Sequence, residues 1–83
     1  MQDVLMLKNL FSSKARVEIL KLFLFNPEDS FYQREISNLL HQPIRAVQRE
    51  LKNLMEFKLI KKLARGNRIY YKLNKKHPIY EEL

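Results

Sequence analysis

Arg45, Gln48, Arg49 and Lys52 recur at steps of three and four within residues 44–57, the spacing that returns side chains to one side of an α-helix. Their types suit hydrogen bonding to nucleobases and phosphates. A guanidinium donates two bonds to guanine O6 and N7, and a glutamine amide matches adenine N6 and N7. Arg45 and Gln48 are therefore the candidate base readers. Arg49 and Lys52 lie further along the same face and suit phosphates, which position a helix without specifying sequence. Ile44 opens the face, where it can either touch a thymine methyl or fill the preceding turn. A solvated basic helix surface with no ligand is the competing account of all five.

A second basic cluster is formed by Lys61, Lys62, Arg65, Gly66, Asn67 and Arg68. Two strand-like runs, LIKKLAR and RIYYKL, flank Gly66-Asn67, and Gly66 is the only glycine in the chain. That placement predicts a hairpin turn with positive φ at residue 66. Arg65 and Arg68 at the tip can follow a duplex backbone or enter a minor groove, whose negative potential attracts arginine. Lys61 and Lys62 suit a backbone too, and equally suit an edge strand guarded against sheet-to-sheet pairing. Ile69, Tyr71 and Leu73 alternate with Arg68, Tyr70 and Lys72, the period of a half-buried strand. Tyr70 and Tyr71 read first as packing residues, with base stacking as the alternative.

The elements that must position these side chains are legible from apolar spacing and punctuation. Val4, Leu7, Leu10 and Phe11 predict an N-terminal helix over residues 1–11, with Asp3 as its cap. Ser12 or Ser13 caps a second helix carrying Val17, Ile19, Leu20, Phe23 and Leu24, which Asn26-Pro27-Glu28-Asp29 ends. A third runs from about Gln33 to Leu40 and buries Ile36, Leu39 and Leu40. After the break at His41-Gln42-Pro43, a helix over 43–57 takes Pro43 in its first turn. It buries Val47, Leu51, Leu54 and Met55. Helix, turn, helix and a basic hairpin over 61–72, in that order, predict an α+β, mainly helical fold. It is a winged helix-turn-helix: a three-helix core plus the N-terminal helix and a β-hairpin wing, one domain over 1–83.

Composition narrows the function. The net charge of +7 is concentrated: residues 43–76 hold eleven Lys/Arg against Glu50 and Glu56, a balance of +9, while the remainder carries −2. A polyanion is the expected partner of such a half. The chain has no cysteine, so disulfides and thiolate metal sites are excluded. No Gly-rich phosphate loop or carboxylate–histidine constellation is present, and His41 and His77 stand alone, so no catalytic, metal or cofactor site is expected. Apolar runs fall far short of a membrane span. The start MQDVLMLKNLF lacks a basic leader and a small-residue cleavage site, so a cytoplasmic location is expected.

The sequence resembles the arsenic-repressor-like superfamily of winged helix-turn-helix regulators, in its small prokaryotic branch. The resemblance is carried by FSSKARVEILKLF, FYQREISNLL, AVQRELKNL, LIKK and GNRIYYKLNKKHPIYEEL in order and covers residues 10–83. Some members of that branch place the module ahead of a nucleotidyltransferase-like domain, beginning soon after a similar tail. This chain would then be a free-standing regulator or an excised module. His41, Gln42 and Pro43 stand where the family has Gly, an aliphatic residue and Ser or Thr. Cysteine-based metal sensing, known among relatives, is excluded here by the lack of cysteine.

These readings converge on a sequence-specific regulator of double-stranded DNA, a repressor acting as a homodimer. The dimer element would be Val4, Leu7, Leu10 and Phe11, whose helix either packs on its own core or meets its twofold mate. The alternative is a protein-interaction or targeting module for a nucleotidyltransferase-type partner. RNA is disfavoured because its deep, narrow major groove excludes a helix.

Overall fold

The computed structural model describes residues 13–76. The helix expected over 1–11, with Val4, Leu7, Leu10 and Phe11, lies outside the described residues, as does His77. Three helices and three strands follow in the order α1 (Lys14–Phe25), β1 (Ser30–Tyr32), α2 (Gln33–Leu40), α3 (Ile44–Glu56), β2 (Ile60–Arg65) and β3 (Arg68–Leu73). The fold is α+β and mainly helical.

Local chemistry explains the boundaries. Ser13 is the cap of α1, its Oγ accepting the Arg16 N–H at 3.3 Å, which satisfies a donor that has no partner within the helix. At the other end the Asn26 side chain donates to the Leu22 carbonyl at 2.8 Å, and Pro27 prevents continuation. The Glu35 carboxylate accepts the Tyr32 N–H at 3.3 Å at the start of α2. Pro43 is the cap of α3 rather than a residue of its first turn. Its extended backbone is where the chain turns between the two helices.

The turns that end α2 and α3 each use a left-handed residue that is not glycine. His41 has φ 54° and Lys58 has φ 62°. After α2, the Gln42 N–H closes on the Ser37 carbonyl at 3.1 Å, and Ser37 Oγ donates to the Gln42 carbonyl at 2.6 Å. After α3, Lys58 N–H bonds Met55 O at 2.9 Å and Leu59 N–H bonds Leu54 O at 3.0 Å. This pair of bonds is a Schellman motif, with lysine at the position where glycine is usual.

The strands form one antiparallel sheet in the order β1-β3-β2. β1 was not expected; its three residues pair Ser30 with Lys72, Phe31 with Tyr71 and Tyr32 with Tyr70. The β2–β3 hairpin runs from Ile60 opposite Leu73 to Arg65 opposite Arg68. Gly66 has φ 59° in the two-residue turn, and Asn67 is not among the positive-φ residues, the pattern of a type II′ hairpin turn. Facing residues share a side of the sheet. Phe31, Ile60, Tyr71 and Leu73 close over the helices, while Tyr32, Leu63 and Tyr70 lie on the other side.

The core joins Ile19, Leu20 and Phe23 of α1, Ile36 of α2, and Val47, Leu51 and Leu54 of α3 with Leu59 and that sheet face. Phe23 and Phe31 meet edge to face with centroids 5.6 Å apart. Leu40 is only half-buried against this core, and three further residues expected inside depart from it. Leu39 is 54% exposed, because it sits about 100° around the axis from Leu40, away from the covered Ile36–Leu40 side. Ile69 is 49% exposed, being nearer the hairpin tip than the last residue paired with β1. Met55 is only half-buried at the rim of the α3 stripe.

Candidate nucleic-acid interface

The exposed face of α3 begins with the stripe on its other side. With Val47, Leu51 and Leu54 buried, the helical period leaves Arg45, Gln48, Arg49 and Lys52 exposed, and Ile44 half-buried at the first turn. Four of the five residues anticipated on that face are thus presented together. An α-helix with its side chains is about 10–12 Å across, a match to a major groove about 12 Å wide.

Glu50, counted in the sequence only as one of two charges opposing the basic half, has a larger part. It is 2% exposed and accepts from four side chains. Arg16 Nε donates at 2.7 Å, Asn53 Nδ2 at 3.0 Å, Ser13 Oγ at 3.1 Å and Arg49 Nε at 3.2 Å. Burial pushes its pKa up, but the hydrogen bonds from Asn53, Arg16 and Arg49 and the Arg16 charge outweigh burial and hold it at about 2. The carboxylate ties the start of α1 to the middle of α3. It also holds one edge of the Arg49 guanidinium, whose side chain remains 64% exposed.

Gln48 is not free either. Its Nε2 donates to Gln33 Oε1 at 3.1 Å, and Gln33 Nε2 donates to the Tyr71 hydroxyl at 3.2 Å. A side chain of α3 is thereby linked through the first residue of α2 to the middle strand.

The hairpin residues Lys61, Lys62, Arg65, Gly66, Asn67 and Arg68 are all exposed. Lys61 faces Lys72 across the strands, a like-charged pair that opposes docking of a further strand. The two arginines at the tip are held over tyrosines. Arg68 lies 4.2 Å from the Tyr32 ring centroid and Arg65 5.7 Å from that of Tyr70. The two rings pack edge to face at 5.7 Å. Hydrogen bonding with Tyr70 raises the Arg68 pKa further above its ordinary value. Tyr70 is half-buried in this stack and Tyr71 is in the core, so both pack as expected. Between Tyr32–Arg34 and Asn67–Ile69 lies an open cleft of about 300 Å³, which brings Arg34 beside the hairpin.

No protein-family model matches the sequence, and no curated protein matches it. Solved structures do. The AntR antimony-specific transcriptional repressor superposes with a TM-score of 0.74 at 16% identity, covering 98% of this chain and 69% of its own. The fold is a winged helix. In its terms α2 and α3 are the helix-turn-helix, and the β2–β3 hairpin is the wing. The ferric uptake regulator from Francisella tularensis, determined with iron, superposes with a TM-score of 0.67 at 25% identity over 78% of this chain. The match spans only 54% of that regulator's length. Both neighbours are regulators, and neither is an enzyme by its name. Among the described residues no group of His, Cys, Asp and Glu could hold a metal ion. No helix among them is long and apolar enough to cross a membrane.

Two groups at this interface carry little sequence signal. Gln33 precedes Gln48 by fifteen residues, and only the packing of α2 on α3 joins them. Tyr32 meets Tyr70 through a strand pairing between segments far apart in the chain. Asn53, one helical turn beyond Glu50, is a local hint that the carboxylate is bonded.

Proposed function

We propose that the chain is a sequence-specific, double-stranded DNA-binding transcriptional regulator of the arsenic-repressor-like kind, a prokaryotic cytoplasmic repressor that acts as a homodimer. α3 enters the major groove. Arg45 and Gln48 read bases there, with Ile44 against a thymine methyl, and Arg49 and Lys52 bond phosphates. The wing lies alongside, with Arg65, Asn67 and Arg68 about the turn at Gly66 and Lys61 and Lys62 on the backbone. The dimer forms through Val4, Leu7, Leu10 and Phe11, and its symmetry matches a palindromic operator.

The observation that carries this reading is the exposed polar face of α3. Its four long side chains, Arg45, Gln48, Arg49 and Lys52, project together from a helix whose other side is locked into the core. A protein-binding surface is a poorer match, because the centres of protein interfaces are depleted in charge. The similarity to a transcriptional repressor and a ferric uptake regulator points the same way.

The roles separate by substitution. Arg45→Ala relaxes sequence preference at one base pair, by about 1–3 kcal/mol of lost discrimination. Lys52→Ala weakens binding to all sequences alike and lowers the salt slope by about 1. Competition binding against a panel of duplexes reads both, and equal loss of selectivity in the two variants contradicts the assignment.

A further inference from the structure

We infer that Gln33 and Tyr71 are positioning residues that set the orientation of Gln48, and so the base it selects. The inference rests on the base-reading role proposed for Gln48.

An exposed glutamine has three rotatable bonds and a terminal amide that can turn either way. Its two faces differ chemically, because Nε2 carries two donors and Oε1 only acceptors. Adenine is read only when both are presented in one sense, Oε1 toward N6 and Nε2 toward N7. Ordering a mobile side chain at the moment of binding costs affinity, and ordering it beforehand removes that cost.

Here the ordering is built into the fold. The Tyr71 ring is in the core at 4% exposure, so its hydroxyl is a fixed point. Gln33 donates to that hydroxyl at 3.2 Å, which turns its own Oε1 outward. That oxygen accepts one hydrogen of Gln48 Nε2 at 3.1 Å. The second Nε2 hydrogen and Oε1 of Gln48 remain, and these are the two groups that an adenine edge needs. The sheet, α2 and α3 thus meet in a relay of two hydrogen bonds ending at the groove-facing side chain. Leucine at residue 33 keeps the approximate size of the side chain and removes both bonds. Phenylalanine at residue 71 removes only the anchor.

The test is selection from random duplex DNA with wild type, Gln48→Ala, Gln33→Leu, Tyr71→Phe and the Gln33→Leu/Gln48→Ala double variant. Preference at each base pair is scored, and thermal unfolding verifies that each variant is folded. Gln48→Ala is expected to lose roughly tenfold preference at one base pair. Gln33→Leu should lose most of that preference at the same base pair, and Tyr71→Phe a smaller part. The double variant should lose no more than Gln48→Ala alone, because the two residues act as one unit. Salt dependence should stay unchanged throughout, since no phosphate contact is removed. Wild-type preference in Gln33→Leu, additive losses in the double variant, or a Gln33→Leu effect at a different base pair overturns the relay alone. Unchanged preference in Gln48→Ala overturns the base-reading role itself, and the relay with it.

Discussion

Glu50 is the residue on which the α1–α3 packing turns. Four donors converge on a carboxylate that is almost fully buried, and breaking a buried ion pair such as the one it forms with the largely buried Arg16 costs about 3–5 kcal/mol. Glu50→Ala should lower the urea midpoint accordingly, and a loss below about 1 kcal/mol would show the cluster to be superficial. The same carboxylate makes stability depend on pH. Glutamate ordinarily titrates at 4.5 and Glu50 at about 2, so its contribution is complete above 4.5 and is lost as pH falls through 2. Linkage sets that contribution at about 3 kcal/mol. Wild type should lose stability over this acid window, and Glu50→Gln should show a much flatter response there. Little of this is legible in the sequence, where Glu50 is one acid in a basic helix and only Asn53 hints at a bonded carboxylate. Its burial depends on Ser13 and Arg16, which lie more than thirty residues away along the chain.

Punctuation at the level of elements is easier to read, because a cap or a turn is decided by its own residues. Ser13, the Asn26-Pro27 stop, and the Gly66-Asn67 turn each act within a few residues. β1 cannot be read this way: three residues carry no period, and their partners on β3 lie about forty residues on. Leu39 and Ile69 depart from expectation for a related reason. Both lie on apolar patterns that continue past the surface they pack against. The left-handed residues give a direct test at this scale. A non-glycine residue in that conformation is disfavoured by about 1–2 kcal/mol. Lys58→Gly is therefore expected to stabilise the fold by about 1 kcal/mol, raising Tm by roughly 4–8 °C. Gly66→Ala should have the opposite sign and similar size, because an added Cβ meets nothing within 4 Å and only the φ of 59° opposes it. A stabilising Gly66→Ala would contradict the turn geometry.

For the whole molecule, what matters is that the excess charge and the exposed face of α3 coincide. The +9 carried by residues 43–76 spans that face and the wing. Engagement of about 6–10 phosphates predicts a loss of 10³–10⁵ in affinity between 50 and 200 mM salt. A salt-insensitive complex would point to a protein partner instead. The proposed dimer predicts, by light scattering, a particle of twice the 10.1 kDa chain mass, and a monomer at high concentration would refute it. The charge imbalance and the helix–turn–helix–hairpin order are both legible in the amino-acid sequence, because each follows from residue type and spacing along the chain. The stacking of Arg65 and Arg68 on Tyr70 and Tyr32, and the link from Gln48 to Tyr71, are not, since each arises only when separate elements meet.

The most direct measurement of the central claim is selection of the wild-type protein against random duplex DNA, with the enriched pool sequenced. Base reading by α3 in a twofold dimer predicts a palindromic motif whose half-sites lie about one helical turn, roughly 34–36 Å, apart. Salt-sensitive binding without any enriched motif would contradict sequence-specific reading by α3.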